Sequence, residues 1–284
     1  MLTSGRRSLF AAVCAVAVAV VYAAQPVIGQ IGADLHLPPG HLGWVVAVGQ
    51  LGYLVGLILL VPLGDVLDRR RLIAVHLLMA ALGVATAAAA SHVWVLLAGL
   101  AFAGLFAVVV QTTVAYVAAV STPDVRGRNI GVVTSGVVLG ILGSRVVAGA
   151  LAATLGWRSV FVALAVLLVA LAGLSLRFLP PDVRTEPTTY PQAMTSLATL
   201  FRERMFLAHA AVAFFVFASF GALWSGLALP LSAAPWHLGT TEIGLFGLAG
   251  LAGALSAART GRWSDAGHAP GVTGAAMALL AVSW

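Results

Sequence analysis

The chain is 284 residues long, 61% hydrophobic and only 8% charged, with a mean hydropathy of +1.04. Soluble domains run at about 45–50% apolar and about 25% charged, so a water-soluble globular fold is excluded and lipid is the solvent for most of the chain. The net charge of +6 invites a nucleic-acid reading, which the placement of the basic residues removes, and the single cysteine, Cys14, excludes an internal disulfide or a cysteine-based metal or redox centre.

A helix needs about 20 apolar residues to cross the hydrocarbon core. Continuous apolar runs predict spans at 9–30, 42–63, 72–90, 93–120, 130–155, 159–179, 207–231 and 241–258, and a ninth begins near Val272 and runs to Trp284. The runs do not alternate, as barrel strands would, and backbone groups in lipid must be paired within each segment. The fold class is therefore an all-α polytopic membrane bundle of about eight complete transmembrane helices plus part of a ninth. The opening SGRRSLF, followed by an apolar run and VYA, resembles a twin-arginine signal. The run continues almost to Ile31, longer than the usual 7–15 residues of a cleaved segment, so a retained first helix is expected.

Orientation follows from the arginines. There is no lysine, and the fifteen basic residues are all Arg. With a cytoplasmic N-terminus, thirteen fall on the cytoplasmic side: Arg6, Arg7, Arg69, Arg70, Arg71, Arg126, Arg128, Arg177, Arg184, Arg202, Arg204, Arg259 and Arg262. Arg158 alone falls outside, and Arg145 lies within a span. The positive-inside rule then predicts a multi-pass protein of the cytoplasmic membrane, the inner membrane of the cell, with its N-terminus inside. The high pI reflects topology and implies no nucleic-acid partner.

Organisation comes next. The polar interval PPDVRTEPTTYPQAMTSLATLFRER, 180–204, is proline-rich at first and then suits a short amphipathic helix from about Gln192 to Arg204 at the membrane surface. It divides the chain into an N-terminal six-helix half (1–179), a cytoplasmic linker (180–206) and an incomplete C-terminal half (207–284) with helices 7, 8 and part of 9. Two six-helix halves joined this way are an architecture of secondary transporters, so the chain is expected to be a C-terminally truncated product. A repeat supports the division. GDVLDRRRLI (64–73) follows span 2 and GRWSDAGHAP (261–270) follows span 8, each with Asp four residues after Gly: Gly64 and Asp68, Gly261 and Asp265.

GDVLDRRRLI resembles the loop between helices 2 and 3 of the major facilitator superfamily, G-x-L-a-D-r-x-G-r-r. Gly64, Asp68, Arg69, Arg70 and Arg71 match it, without the usual glycine before the later basic residues. The copy at Gly261 and Asp265 is weaker, with Ala266 where an arginine is expected. PDVRGRNIGVV (123–133) is similar to the family's loop between helices 4 and 5. GVVLGILGSRVVAGAL (136–151) resembles the glycine-rich fifth helix of its drug:proton antiporter branch, with Ser144-Arg145 in place of Gly-Pro. YAAQPVIGQI (22–31) and GWRSVF (156–161) resemble the sugar- and drug-efflux permeases of that branch. The resemblance covers essentially the whole chain. It implies a twelve-helix transporter fold, and it implies that the charged loop latches the outward-facing state.

The loop residues carry two readings. The arginines alone would fix orientation, whereas Asp68 is able to accept a charge-assisted hydrogen bond from Arg69 or from a basic residue on a neighbouring helix end. A partly desolvated pair of that kind biases a two-state equilibrium. Asp65 is expected to cap helix exposure or pair with Arg70.

Ionisable groups at membrane depth are costly and suggest function. All nine acids sit at or beyond helix ends, and Arg145 is the one charge within a span. It reads either as a carbonyl-paired or snorkelling brace of helix 5, or as a substrate anchor or partner of a proton-linked group. Asp34 and Glu242 are the nearest candidates for titrating groups. Tyr22 and Gln25, Gln50 and Tyr53, and Gln111 with Thr112 and Tyr116 form polar clusters that either line a pathway or bond helix to helix. Pro26 is expected to bend helix 1. Trp44, Trp94, Trp157 and Trp236 suit the interfacial aromatic belt, and Gly136, Gly140, Gly143 and Gly149 suit close helix approach, as do Gly244, Gly247, Gly250 and Gly253. Cys14 and His76 read as packing residues.

No H-E-x-x-H, G-x-S-x-G or G-x-x-x-x-G-K-[ST] motif is present, so neither an enzyme nor an ATP-driven pump is expected, and no cofactor or metal. The reading is a secondary active transporter working by alternating access: a permease or antiporter coupling protons to efflux of a small organic molecule such as a drug or sugar. The alternative is a truncated, non-transporting remnant or membrane scaffold. Substrate identity and oligomeric state are left open by the residues.

Overall fold

The computed structural model describes residues 3–182, 188–246 and 269–282. Gly261 and Asp265, and the glycines at 247, 250 and 253, lie outside the described residues.

Each apolar run folds as a helix, and the ends follow local chemistry. The Thr3 hydroxyl caps α1 (Ser4–Tyr22) by accepting from the Arg6 amide. Helix 1 then breaks at a 3-10 turn over Gln25–Val27, where Pro26 cannot donate to the preceding turn, and resumes as α2 (Ile28–Asp34). Span 2 is α3 (Gly43–Leu59), followed by the short α4 (Leu63–Val66). The Asp68 carboxylate caps α5 (Arg69–Ala88) by accepting from the Arg71 amide at 2.8 Å. Span 4 is interrupted between α6 (Val93–Phe106) and α7 (Val109–Val120), at the place where Gly56 of α3 packs on the Leu105 carbonyl.

Span 5 was expected from residue 130, but α8 covers Pro123–Leu155. Pro123 sits in the first turn, where its missing N–H costs nothing, and nothing in DVRGRN stops the helix. Gly156, at φ 79, supplies the left-handed turn into α9 (Trp157–Phe178). The surface helix α10 (Tyr190–Leu200) begins two residues before the expected start, where the Gln192 side-chain oxygen accepts from the Thr189 amide at 2.9 Å. The seventh span is α11 (Arg204–Ser232). Of the expected eighth span, α12 (Thr240–Leu245) is described, and α13 (Ala269–Val282) covers the start of the ninth. Among the described residues seven helical segments, from Ser4–Asp34 to Arg204–Trp224, are long and apolar enough to cross a membrane.

Packing pairs α1 with α8, α5 with α9 and α6, and α3 with α6. Lipid supplies no hydrophobic drive between helices, so close backbone approach at small residues does the work. A Cβ at Gly136 or Gly140 of α8 would run into the Ala11 or Ala15 carbonyl of α1, and one at Gly52 of α3 into Ala101 of α6. Among the described residues none lies within 4 Å of where a Gly143 Cβ would stand. Phe10, Val13, Cys14, Ile73, Leu77 and Phe161 fill the bundle interior, while Leu82, Val166 and Phe214 face outward, as a lipid-solvated surface requires. His76 is also interior, its ring against Phe106.

Candidate translocation site

The two ends of the bundle differ in chemistry. At one end Arg6 Nε donates to the Phe178 carbonyl at 3.0 Å, and Arg70 donates to the Leu176 carbonyl. Arg69 pairs with Asp65 at 3.3 Å and with Asp182 at 3.7 Å, and its backbone amide donates to Asp182 at 3.0 Å. Asp65 thus pairs with Arg69, one turn on, where one of its two readings had Arg70 as the partner. Asp68 is occupied as the cap of α5, so the carboxylate that holds Arg69 from a neighbouring segment is Asp182, with its side chain 1% exposed. Gly64 packs beside Thr112 in this group, and Arg71 lies in the first turn of α5. The linker helix α10 lies against α4, and Tyr190 donates to the Leu59 carbonyl at 3.0 Å.

Tyr116 belongs to this end. It is fully buried, edge-on to Phe10 at 5.5 Å, and its hydroxyl donates to the Pro180 carbonyl. Of its two readings, lining a pathway or bonding between helices, these contacts match the second: it braces the arginine-rich end.

At the opposite end Arg158 donates to Asp34 and, at 2.9 Å, to the Ala90 carbonyl, while Trp157 Nε1 donates to Asp34 at 3.2 Å. The clasp ties spans 1, 3 and 6 together. It also corrects Trp157, which is 4% exposed and folded into the bundle, whereas Trp44, Trp94 and Trp236 are exposed. Asp34 is therefore a rim residue committed to an arginine. Glu242 is exposed and caps α12 by accepting from the Gly239 amide.

Between the ends lies Arg145, 2% exposed. Its Nη2 donates to the Gln25 side-chain oxygen at 2.7 Å and its Nη1 to the Ile141 carbonyl at 2.5 Å. Three rings surround the guanidinium carbon: Trp224 at 4.3 Å, Tyr22 at 5.1 Å and Phe220 at 5.5 Å. A cation over aromatic faces is attracted by the ring quadrupoles, more so where water is excluded. Gln25, Pro26, Arg145, Trp224, Leu227 and Ile243 line a cavity of about 10 Å³, room for no more than a water. Three of the expected pathway residues, Tyr22, Gln25 and Arg145, thus form one cluster on α1, the 3-10 turn and α8. A second polar pair joins α7 to α3, where Gln111 Nε2 donates to the Tyr53 hydroxyl at 2.8 Å, with Gln50 one turn before Tyr53. Sequence reasoning missed Phe220 and Trp224. Their i, i+4 spacing on span 7 was the available signal.

The cluster sits where the first six spans meet α11 and α12. Gly149 of α8 touches α12 so closely that a Cβ would meet the Thr240 carbonyl, and a Cβ at Gly244 would meet that of Arg145. Thr240 donates to the Gly149 carbonyl at 3.2 Å, and α11 packs on α2.

The model of the Major Facilitator Superfamily matches residues 9–284. The chain belongs to the major facilitator superfamily. It is thus a multi-pass membrane protein of a transporter family. It is 39% identical over 269 residues to the uncharacterized transporter YgaY of Escherichia coli O157:H7, covering 94% of this chain and 68% of that one. The fold is similar to that of a bacterial homolog of the human lysosomal transporter Spinster, in an inward-facing and unoccupied conformation. That match has a TM-score of 0.58 at 18% identity, over 86% of this chain and 59% of the other. It is also similar to the xylose transporter XylE of E. coli in its inward open conformation, with a TM-score of 0.53 at 15% identity, over 85% of this chain and 64% of that.

Proposed function

We propose that this superfamily member is a secondary active transporter, not an enzyme, that moves a small organic molecule out of the cell by alternating access, in exchange for protons. The observation that carries the reading is Arg145. A charge held at membrane depth is costly to keep and points to function, and this one lies at the contact between the six-helix half and α11 and α12. The cluster of Tyr22, Gln25, Trp224 and Arg145 is then the occluding layer of the pathway, with the Gln111–Tyr53 pair a further part of its wall.

The arginine-rich end is the cytoplasmic one in this reading, and the N-terminus lies inside, in the cytoplasmic membrane. Among the described residues, α12 and the break in span 1 meet toward the opposite, outer end, where Gly149 and Gly244 lie at the contact. The pairs that join Arg69 to Asp65 and Asp182 stand at the inner rim, where making or breaking them would bias the two states. The likeness of 136–151 to the fifth helix of drug:proton antiporters supports proton exchange, and it keeps drugs and sugars as the substrate range.

The test is uptake into proteoliposomes bearing the whole protein, under an imposed pH gradient. Gradient-dependent counter-movement of a small organic solute supports the reading. Absence of flux across drugs, sugars and organic acids alike would return the protein to a scaffold role.

A further inference from the structure

Arg145 is a full positive charge withdrawn from water, and its described surroundings do not balance it. Two of its three nitrogens are bonded to neutral oxygens, those of Gln25 and Ile141. Among the described residues its buried Nε has no acceptor, and neither does the Nε2 of Gln25 beside it. The three ion pairs among the described residues all involve other groups, so no described carboxylate lies within 4 Å of this guanidinium. A buried, unpaired ion costs several kcal/mol even after the protein relaxes. Aromatic faces and neutral oxygens offset part of that cost and leave two donors unspent.

Apart from the Tyr22 phenol, whose ring centre lies 5.1 Å from the guanidinium carbon, the remaining neighbours are apolar or aromatic: Pro26, Leu227, Ile243 and the rings of Trp224 and Phe220. Donors without acceptors, one fixed positive charge and a greasy wall are complementary to an anionic head on an apolar body. A guanidinium matches a carboxylate in particular, since its planar fork accepts two oxygens at once. We propose that Arg145 and Gln25 anchor an organic carboxylate, with Trp224 and Phe220 closing over its apolar part. This rests on the transport reading above and narrows its substrate to small organic anions. The cavity as it stands holds about a water, so the anion enters when α11 carries Trp224 and Phe220 away from α8, the movement that alternating access requires.

The probes are benzoate, its neutral isostere benzamide, the cation benzylamine and chloride, compared at constant ionic strength on the whole purified protein. A ligand that binds the folded state raises the melting temperature. Benzoate is expected to bind at least about tenfold more tightly than benzamide, the value of a charge-assisted pair in a dry site. Arg145→Gln should bring it down to the benzamide level, and Arg145→Lys should retain part of the preference. Equal binding of benzamide or benzylamine, equal protection by chloride, or no effect of benzoate at millimolar concentration would overturn the proposal. These comparisons need only the unmodified protein, so they hold even if Arg145→Gln does not fold. Gradient-driven flux of a neutral or cationic compound that benzoate does not inhibit would overturn the anion anchor and leave transport standing. Benzoate binding without flux would support the anchor and remove the transport reading.

Discussion

The Arg145 guanidinium and the Gln25 side-chain oxygen are joined at 2.7 Å, which ties the middle of α8 to the break in the first span. The charge is therefore carried on the continuous α8 and held from the break in the first span. Gln25→Leu would leave Nη2 buried and unsatisfied, at a cost of about 1–3 kcal/mol, read as a lower melting temperature in detergent. Gln25→Glu supplies a carboxylate at the same place. It should preserve stability and abolish preferential benzoate binding, because the anion's position is then filled from within.

The α1–α8 seam makes a second, independent prediction. A side chain at Gly140 would meet the Ala15 backbone and Val18, while one at Gly143 meets none of the described residues. Gly140→Val should destabilise by about 1–3 kcal/mol through overpacking. Gly143→Ala should be neutral or stabilise by up to about 1 kcal/mol, the helix-propensity gain over glycine. Melting of the two variants side by side checks both. Equal behaviour would mean that α8 does not lie on α1 as described.

Asp68 sits in the family motif and yet works here as a helix cap, accepting from the Arg71 amide at 2.8 Å. Asn caps as well as Asp does, whereas Ala does not. Asp68→Asn should therefore leave the melting temperature unchanged, and Asp68→Ala should cost about 1 kcal/mol. The charge that holds Arg69 belongs to Asp182 and Asp65. Asp182→Asn is thus expected to shift the balance between inward and outward states more than Asp68→Asn does, read as labelling of a cysteine in the outer vestibule.

Topology can be checked with two exposed positions. In a Cys14→Ala background, His92→Cys lies between α5 and α6 and Arg126→Cys lies near the start of α8. A membrane-impermeant maleimide should label the first in intact cells and the second only after permeabilisation. The reverse pattern would invert the orientation.

The seven spans were legible because lipid imposes a long continuous apolar run on anything that crosses it. Their ends were less so. The 123–129 segment looked like a loop because it is charged, but charge does not stop a helix when no residue breaks it and proline begins it. Trp157 has the same local signature as the belt tryptophans. What folds it inward is Asp34, 123 positions earlier. In the same way, Asp182 finds Arg69 across 113 positions, and Tyr116 finds Pro180 across 64. Spacing along one helix tells which residues share a face. It does not tell which face meets which neighbour, and for that reason Tyr22, Gln25 and Arg145 were readable as polar residues while Trp224 was missed as their roof.

One residue reports most directly on whether the cavity beside Arg145 belongs to a pathway that opens in turn to each side. Leu227 lines that cavity on α11. With Leu227→Cys as the sole cysteine in the whole protein, impermeant maleimide is applied to right-side-out and to inside-out vesicles, with and without a pH gradient. Alternating access predicts labelling from both compartments, with the gradient raising one rate as it lowers the other. A cysteine closed to both sides under every condition, or open to one side alone, would contradict it.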